Sequence, residues 1–136
     1  LCTNTGVYAA TKKQKICVYY EEDVKSKYET YYRYKLKSGT PEAKVFFVPN
    51  KTVKNFKLVG LEWESTDDNG KNTYKTTVLF KTKKLTPKKP LLADVEMFGT
   101  MPRLGISYVD SSGKTRKFTL YQSGKDESVQ LLKEEF

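Results

Sequence analysis

Apolar and polar side chains alternate with a period of two along most of this chain, the pattern of β-strands that bury one face. The clearest run is Leu91–Gln122. In Leu91–Phe98, Ala93, Val95 and Met97 fall on one face and Asp94 and Glu96 on the other, so one side is expected in a core and the other in water. Gly99-Thr100-Met101-Pro102 breaks the run, because proline donates nothing to a ladder and glycine reaches backbone angles closed to other residues. Arg103–Val109 resumes it with Leu104, Ile106 and Tyr108 inward. Asp110-Ser111-Ser112-Gly113 has the composition of a hairpin loop, and Thr115–Gln122 returns with Phe118 and Leu120 inward. Three strands with one apolar face need a second layer, which the upstream chain must supply.

Upstream, Leu1–Gln14 is polar and reads as a loosely held arm or a short edge strand at Val7–Ala10. Lys15–Tyr20 is the first firm strand, closed by Glu21-Glu22-Asp23, whose neighbouring carboxylates point apart and form a solvated loop rather than a cation site. Lys27–Lys37 carries Tyr28, Tyr31, Tyr32, Tyr34 and Leu36 and reads as a strand on β-propensity. After the turn Ser38-Gly39-Thr40-Pro41, Ala43–Val48 is nearly all apolar, as in a strand buried on both faces. Lys54–Glu64 places Phe56 and Leu58 on one face and Val59, Leu61 and Trp63 on the other, which predicts a bulge at Gly60 and puts Trp63 in the core in preference to a pocket lining. Asp67-Asp68-Asn69-Gly70 reads as a hairpin through its Asn-Gly, with no acid after the glycine to complete a calcium loop. Thr73–Lys81 answers with Tyr74, Thr76, Val78 and Phe80 on one face. Lys83–Pro90 reads as a basic crossover, Gln122–Glu127 as a polar loop and Ser128–Leu132 as a closing strand.

Turns recurring at this spacing predict an all-β fold, an antiparallel two-sheet sandwich of the immunoglobulin-like kind with eight or nine strands, the alternative being a lipocalin-like barrel with a ligand cavity. At 136 residues it is most economically a single domain, 1–136. The aromatic fraction of 13% suits thin β layers, and no apolar run is long enough for a membrane helix.

Charge adds candidate chemistry. The formal net charge is +9, and Lys71–Lys89 holds seven lysines and no acid. Such a concentration meets an anionic polymer such as a glycan or cell-wall polymer; equally, lysines on edge strands keep sheets from aggregating. Arginine, better suited to bidentate phosphate recognition, occurs only at positions 33, 103 and 116, so no specific nucleic acid is expected. Tyr28, Tyr31 and Arg33, where rings and cations interleave, are candidate ligand-binding residues, together with Lys71, Lys75, Lys83, Lys84, Lys88 and Lys89. The chain has no histidine, the usual general base and metal ligand, and no nucleophile elbow or phosphate loop. The strand-borne acids Glu62, Glu64, Asp94 and Glu96 are expected on outer faces rather than paired across a glycosidic bond. No catalytic residue, metal site or cofactor is therefore expected.

Cys2 and Cys17 admit three readings: a disulfide, two unrelated thiols, or a Leu-Cys start left by processing of a bacterial lipoprotein. From Leu85 onward, the Leu-Thr-Pro-Lys-Lys-Pro entry, Gly99-Thr100-Met101-Pro102-Arg103-Leu104-Gly105-Ile106-Ser107-Tyr108 and Ser123-Gly124-Lys125-Asp126-Glu127-Ser128 resemble the last part of uncharacterised exported proteins of Gram-positive gut bacteria, with a looser likeness back to Ala43. The resemblance implies an extracytoplasmic β-rich module and brings no catalytic residues; the expected location is secreted or, on the lipoprotein reading of Cys2, attached to the cell surface by a lipid anchor upstream. The expected function is an exported, non-catalytic binding module for an anionic glycan or cell-wall polymer. The alternative is a small-molecule carrier with an interior cavity lined by tyrosines and Trp63.

Overall fold

The computed structural model describes residues 15–24, 27–37, 39–96, 103–123, 127–133 and 136. The expected N-terminal arm and the Gly99–Pro102 break lie outside them. Among the described residues the chain forms β1 (Ile16–Tyr20), a single 3-10 turn at Glu21–Asp23, β2 (Tyr32–Tyr34), β3 (Ala43–Pro49), β4 (Val53–Thr66), β5 (Asn72–Leu85), β6 (Leu91–Val95), β7 (Leu104–Val109), β8 (Thr115–Gln122) and β9 (Val129–Lys133). They make two sheets, β1-β3-β6-β2 and β5-β4-β7-β8-β9. The sheets face each other as a sandwich and do not close into a barrel. All pairs are antiparallel except β2 and β6, which run parallel with Tyr32 beside Leu91 and Tyr34 beside Ala93.

The core between the sheets is built from Val45 and Phe47 of β3, Val53, Phe56 and Leu58 of β4, Leu91, Ala93 and Val95 of β6, and Leu104, Ile106, Tyr108 and Leu120 of β7 and β8. Phe118 packs against it. The inward residues expected of the C-terminal run therefore do meet in one core, but the run is not one meander. β6 pairs with β2 and β3, whereas β7 and β8 belong to the opposite sheet, so the chain changes sheets between Val95 and Leu104. Tyrosines stitch both flanks. The Tyr20 hydroxyl donates to the Glu127 carbonyl (2.7 Å) and accepts from Gln122 Nε2 (2.8 Å), joining β1 to the β8–β9 side. On the other flank the Tyr32 ring packs on Phe80 of β5, and its hydroxyl accepts from Thr82 Oγ1.

The four-stranded sheet is covered on its outer face as well. Phe46, Val48 and Leu92 form a second apolar cluster under Tyr19, Val24 and Tyr28, which explains why β3 is apolar almost throughout. It also overturns the wet face expected for β6, because Asp94 is buried there.

Two hairpin loops share one design. In Asp67–Lys71 and Asp110–Lys114 the aspartate Oδ1 accepts from the backbone N–H groups two and four residues on, and the glycine at the fourth position has φ of +81° or +83°. A residue in the left-handed region is what this turn requires, and glycine supplies it without steric cost. Asn69 is not in that region, so the first loop is the longer kind rather than the two-residue Asn-Gly turn.

Candidate functional site

The site grows out of the long β4–β5 hairpin. Its register slips between Trp63 and Ser65, where Glu64 is the extra residue on β4, and again between Leu58 and Val59, where Leu79 is the extra residue on β5. The bulge foreseen at Gly60 thus falls on the partner strand. Tyr74 lies on the outer face, Phe80 on the core face, and Leu79 also packs inward, so Thr73–Lys81 does not keep one face. Because the two bulges lie on opposite strands, the second restores the pairing that the first shifted. The consequence is that Lys57 stands directly opposite Lys81, and Lys54 directly opposite Lys84.

These pairs extend across the sheet. Lys57 also pairs with Ser107, and Ser107 with Lys117, so Lys81, Lys57, Ser107 and Lys117 form one rung. Their chain neighbours Leu58 and Ile106 are fully buried in the core, so the rung points outward. The next rung is Lys84, Lys54, Val109 and Thr115. Side chains directly opposed on one face have Cβ atoms about 5 Å apart, where like charges destabilise the pair. The ion pairs among the described residues are Arg33–Asp94 and Arg116–Asp110, and neither neutralises these lysines.

Beside the rungs lies an open groove of about 610 Å³. Asn72, Thr73 and Tyr74 of β5 form one wall and Thr115, Arg116 and Lys117 of β8 the other, so the far half of the bulged hairpin arches over the outer face. Val59, Leu61 and Tyr74 pack under Phe136 and form the apolar footing of that arch. Lys71 and Lys114, at equivalent positions in the two loops of common design, both line the groove, as does Lys133. Lys117 belongs to both groove and rung; its Nζ donates to the Phe136 carbonyl at 2.9 Å and sits 5.3 Å from the Phe136 ring centroid. β9 reaches only as far as Phe118, so Thr115–Lys117 have no described strand on that side. Asp110 Oδ2 accepts from Arg116 Nε at 2.7 Å, and the hydrogen bonds from Ser112, Arg116 and Lys114 hold the Asp110 carboxyl well below the usual carboxylate range.

The residues singled out from the sequence separate into two groups. Tyr28 and Tyr31 both turn onto Phe46, at 5.1 Å and 5.4 Å between ring centroids, and cover the four-stranded sheet. Arg33 donates to Asp94 Oδ1 at 2.6 Å and to backbone carbonyls, and Asp94 Oδ2 also accepts the Leu36 N–H. Lys71 lies at the groove; Lys75, Lys83 and Lys84 are exposed on β5, where Lys83 and Lys84 continue the strand instead of opening a crossover. Lys88 and Lys89 sit in the tight Thr86–Lys89 turn, with Lys89 Nζ 4.3 Å from the Tyr32 ring centroid. Lys54, Lys57, Lys114, Lys117 and Lys133 lie outside the lysine-rich Lys71–Lys89 run; they join Lys81, which belongs to it, only through the register and the groove. Trp63, expected in the core, is 49% exposed. The interior cavity it was expected to help line therefore loses that residue.

Of the three readings of the cysteines, the disulfide is the one found for Cys17; Cys2 lies outside the described residues. No helix among the described residues is long and apolar enough to cross a membrane. Comparison with protein-family models, with curated proteins and with solved structures finds no match.

Proposed function

We propose that this protein is an exported, non-catalytic binding module that holds an anionic glycan or cell-wall polymer against the basic outer face of its five-stranded sheet. The observation that carries this reading is the pair of directly opposed lysine couples, Lys54/Lys84 and Lys57/Lys81, continued across the sheet by Lys117. Protection of an exposed edge accounts for lysines on β5, which is an edge strand. It does not account for Lys54 and Lys57 on β4, an interior strand paired with β5 on one side and β7 on the other. Cations concentrated there at a cost in stability are the kind of local conflict that functional surfaces retain. The disulfide at Cys17 supports an oxidising, extracytoplasmic setting.

The test is retention on immobilised heparin as salt is raised. Retention beyond about 0.2 M salt is expected, since affinity for a polyanion falls roughly linearly with the logarithm of salt concentration. The double substitution Lys57→Glu with Lys81→Glu should bring elution forward. Elution of the unaltered protein below about 0.2 M, or an unchanged profile for the double variant, would sink the reading.

A further inference from the structure

Trp63 is a large apolar side chain held in the open by design of its strand. It stands directly opposite Tyr74, which lines the groove. The extra residue Glu64 follows it, and bulges of this kind re-aim side chains near binding sites. Its Nε1–H donates to Thr66 Oγ1 at 3.2 Å and to Asn72 Oδ1 at 3.3 Å, while the Thr66 hydroxyl donates to Asn72 Oδ1 at 2.7 Å. That small network satisfies the polar edge of the indole from within the hairpin. What remains for a partner is the ring face, 49% exposed, on a side chain paired with Tyr74 and hydrogen-bonded to Asn72, both of which line the groove. A ring left half exposed forgoes much of the gain from burial, yet its orientation is secured by two acceptor oxygens.

We infer that Trp63 is a stacking platform for a sugar ring, and that a glycan seated on it carries its acidic groups over the cations of the groove, Lys71, Lys114 and Lys117. A pyranose presents a face of C–H groups to an aromatic ring while its hydroxyls stay wet, which suits an indole whose own N–H is already bonded. Fixing the ring beforehand removes the ordering cost that a mobile side chain would pay on binding. The inference rests on the proposed polymer reading for the acidic groups, but it makes a separate claim about Trp63.

Trp63 is the chain's only tryptophan, so intrinsic fluorescence reports this residue alone. Titration with a galacturonate oligosaccharide is expected to give a saturable change in emission. Calorimetry on Trp63→Ala should show binding about tenfold weaker, with Trp63→Phe recovering most of the loss. Circular dichroism and thermal unfolding of both variants identify any loss of fold. Emission that does not respond to the oligosaccharide, or Trp63→Ala binding it as well as the unaltered protein, overturns the inference. If that happens while heparin retention and its loss in the Lys57/Lys81 variant persist, the basic-face reading stands and only the platform fails. A fluorescence response to oligothymidylate without one to the glycan also overturns it, since the ring would then be stacking bases. If heparin is not retained but emission still responds to a neutral galactose oligosaccharide, the platform stands and the polymer reading falls.

Discussion

Asp94 alternates with Ala93 and Val95 on β6, and on that ground its carboxylate belongs in water. It is instead 6% exposed, because the segment around β2 covers this face and delivers Arg33 to it. Burial alone would raise its pKa; the hydrogen bond from Arg33, the Leu36 N–H and the Arg33 charge outweigh burial and hold the carboxyl below its ordinary value. A carboxylate depressed in the folded state contributes stability above its unfolded pKa of about 3.9, and that contribution is lost as pH falls through the lower folded value. Asp94→Asn leaves Arg33 half-buried without its charge partner, so we expect a loss of about 2 kcal/mol in urea unfolding at neutral pH and a flatter acid limb. Tyr108 has the opposite sign. Burial, with a smaller contribution from Asp110 and opposed by Arg116, pushes its phenol up to about 12. Stability from keeping it neutral is complete below about pH 10 and declines as pH rises from there towards 12. A spectrophotometric titration should show Tyr108 ionising late, together with loss of structure, against a background in which Tyr19, Tyr20 and Tyr34 are also raised by burial. Trp63 teaches the same lesson from the other side: an aromatic in an alternating strand reads as core, and only the bulge beside it says otherwise.

At the level of the element, the β4–β5 hairpin decides what the basic face looks like. Its loop was legible at Asp67–Gly70, though through an Asn-Gly signal that is not the turn it forms, and its register was not, since the phase change at Gly60 names neither Leu79 nor Glu64 as the inserted residue. Leu79 is indistinguishable in sequence from a regular strand residue, yet it separates the faces of Tyr74 and Phe80. Lys81→Glu should expose the tension between stability and binding. It turns an opposed like-charge pair into an attractive one and is expected to stabilise the fold by about 0.5 kcal/mol in thermal or urea unfolding. The same substitution should weaken heparin retention, and a change of the same sign in both measurements would contradict the role proposed for this rung. The outer face also has a tight point at Gly105. A Cβ there would lie 2.8 Å from Phe136 Cε2 and 3.0 Å from the Phe118 carbonyl oxygen. Gly105→Ala is therefore expected to displace the Phe136 ring and cost roughly 1–3 kcal/mol in unfolding free energy. It should also loosen the footing of the arch, seen as altered heparin retention.

Across the whole molecule, two sheets share one core and tyrosines join their flanks. Cys17 of β1 is held in a disulfide, and such a cross-link typically stabilises a fold by about 2–4 kcal/mol in the chain-entropy account. Reduction should lower the urea midpoint accordingly, measured with and without a thiol reductant. The all-β class, the nearly fully buried β3 and the positions of both hairpin loops follow from the sequence alone, because side-chain alternation and turn residues are set by neighbours in the chain. The division of Leu91–Gln122 between two sheets, the parallel β2–β6 pair, the burial of Asp94 with Arg33, the exposure of Trp63 and the alignment of Lys57, Lys81 and Lys117 were decided by tertiary structure. Each depends on which strand lies beside which and in what register. That choice is made by long-range packing and by single inserted residues, and a local period of two contains neither.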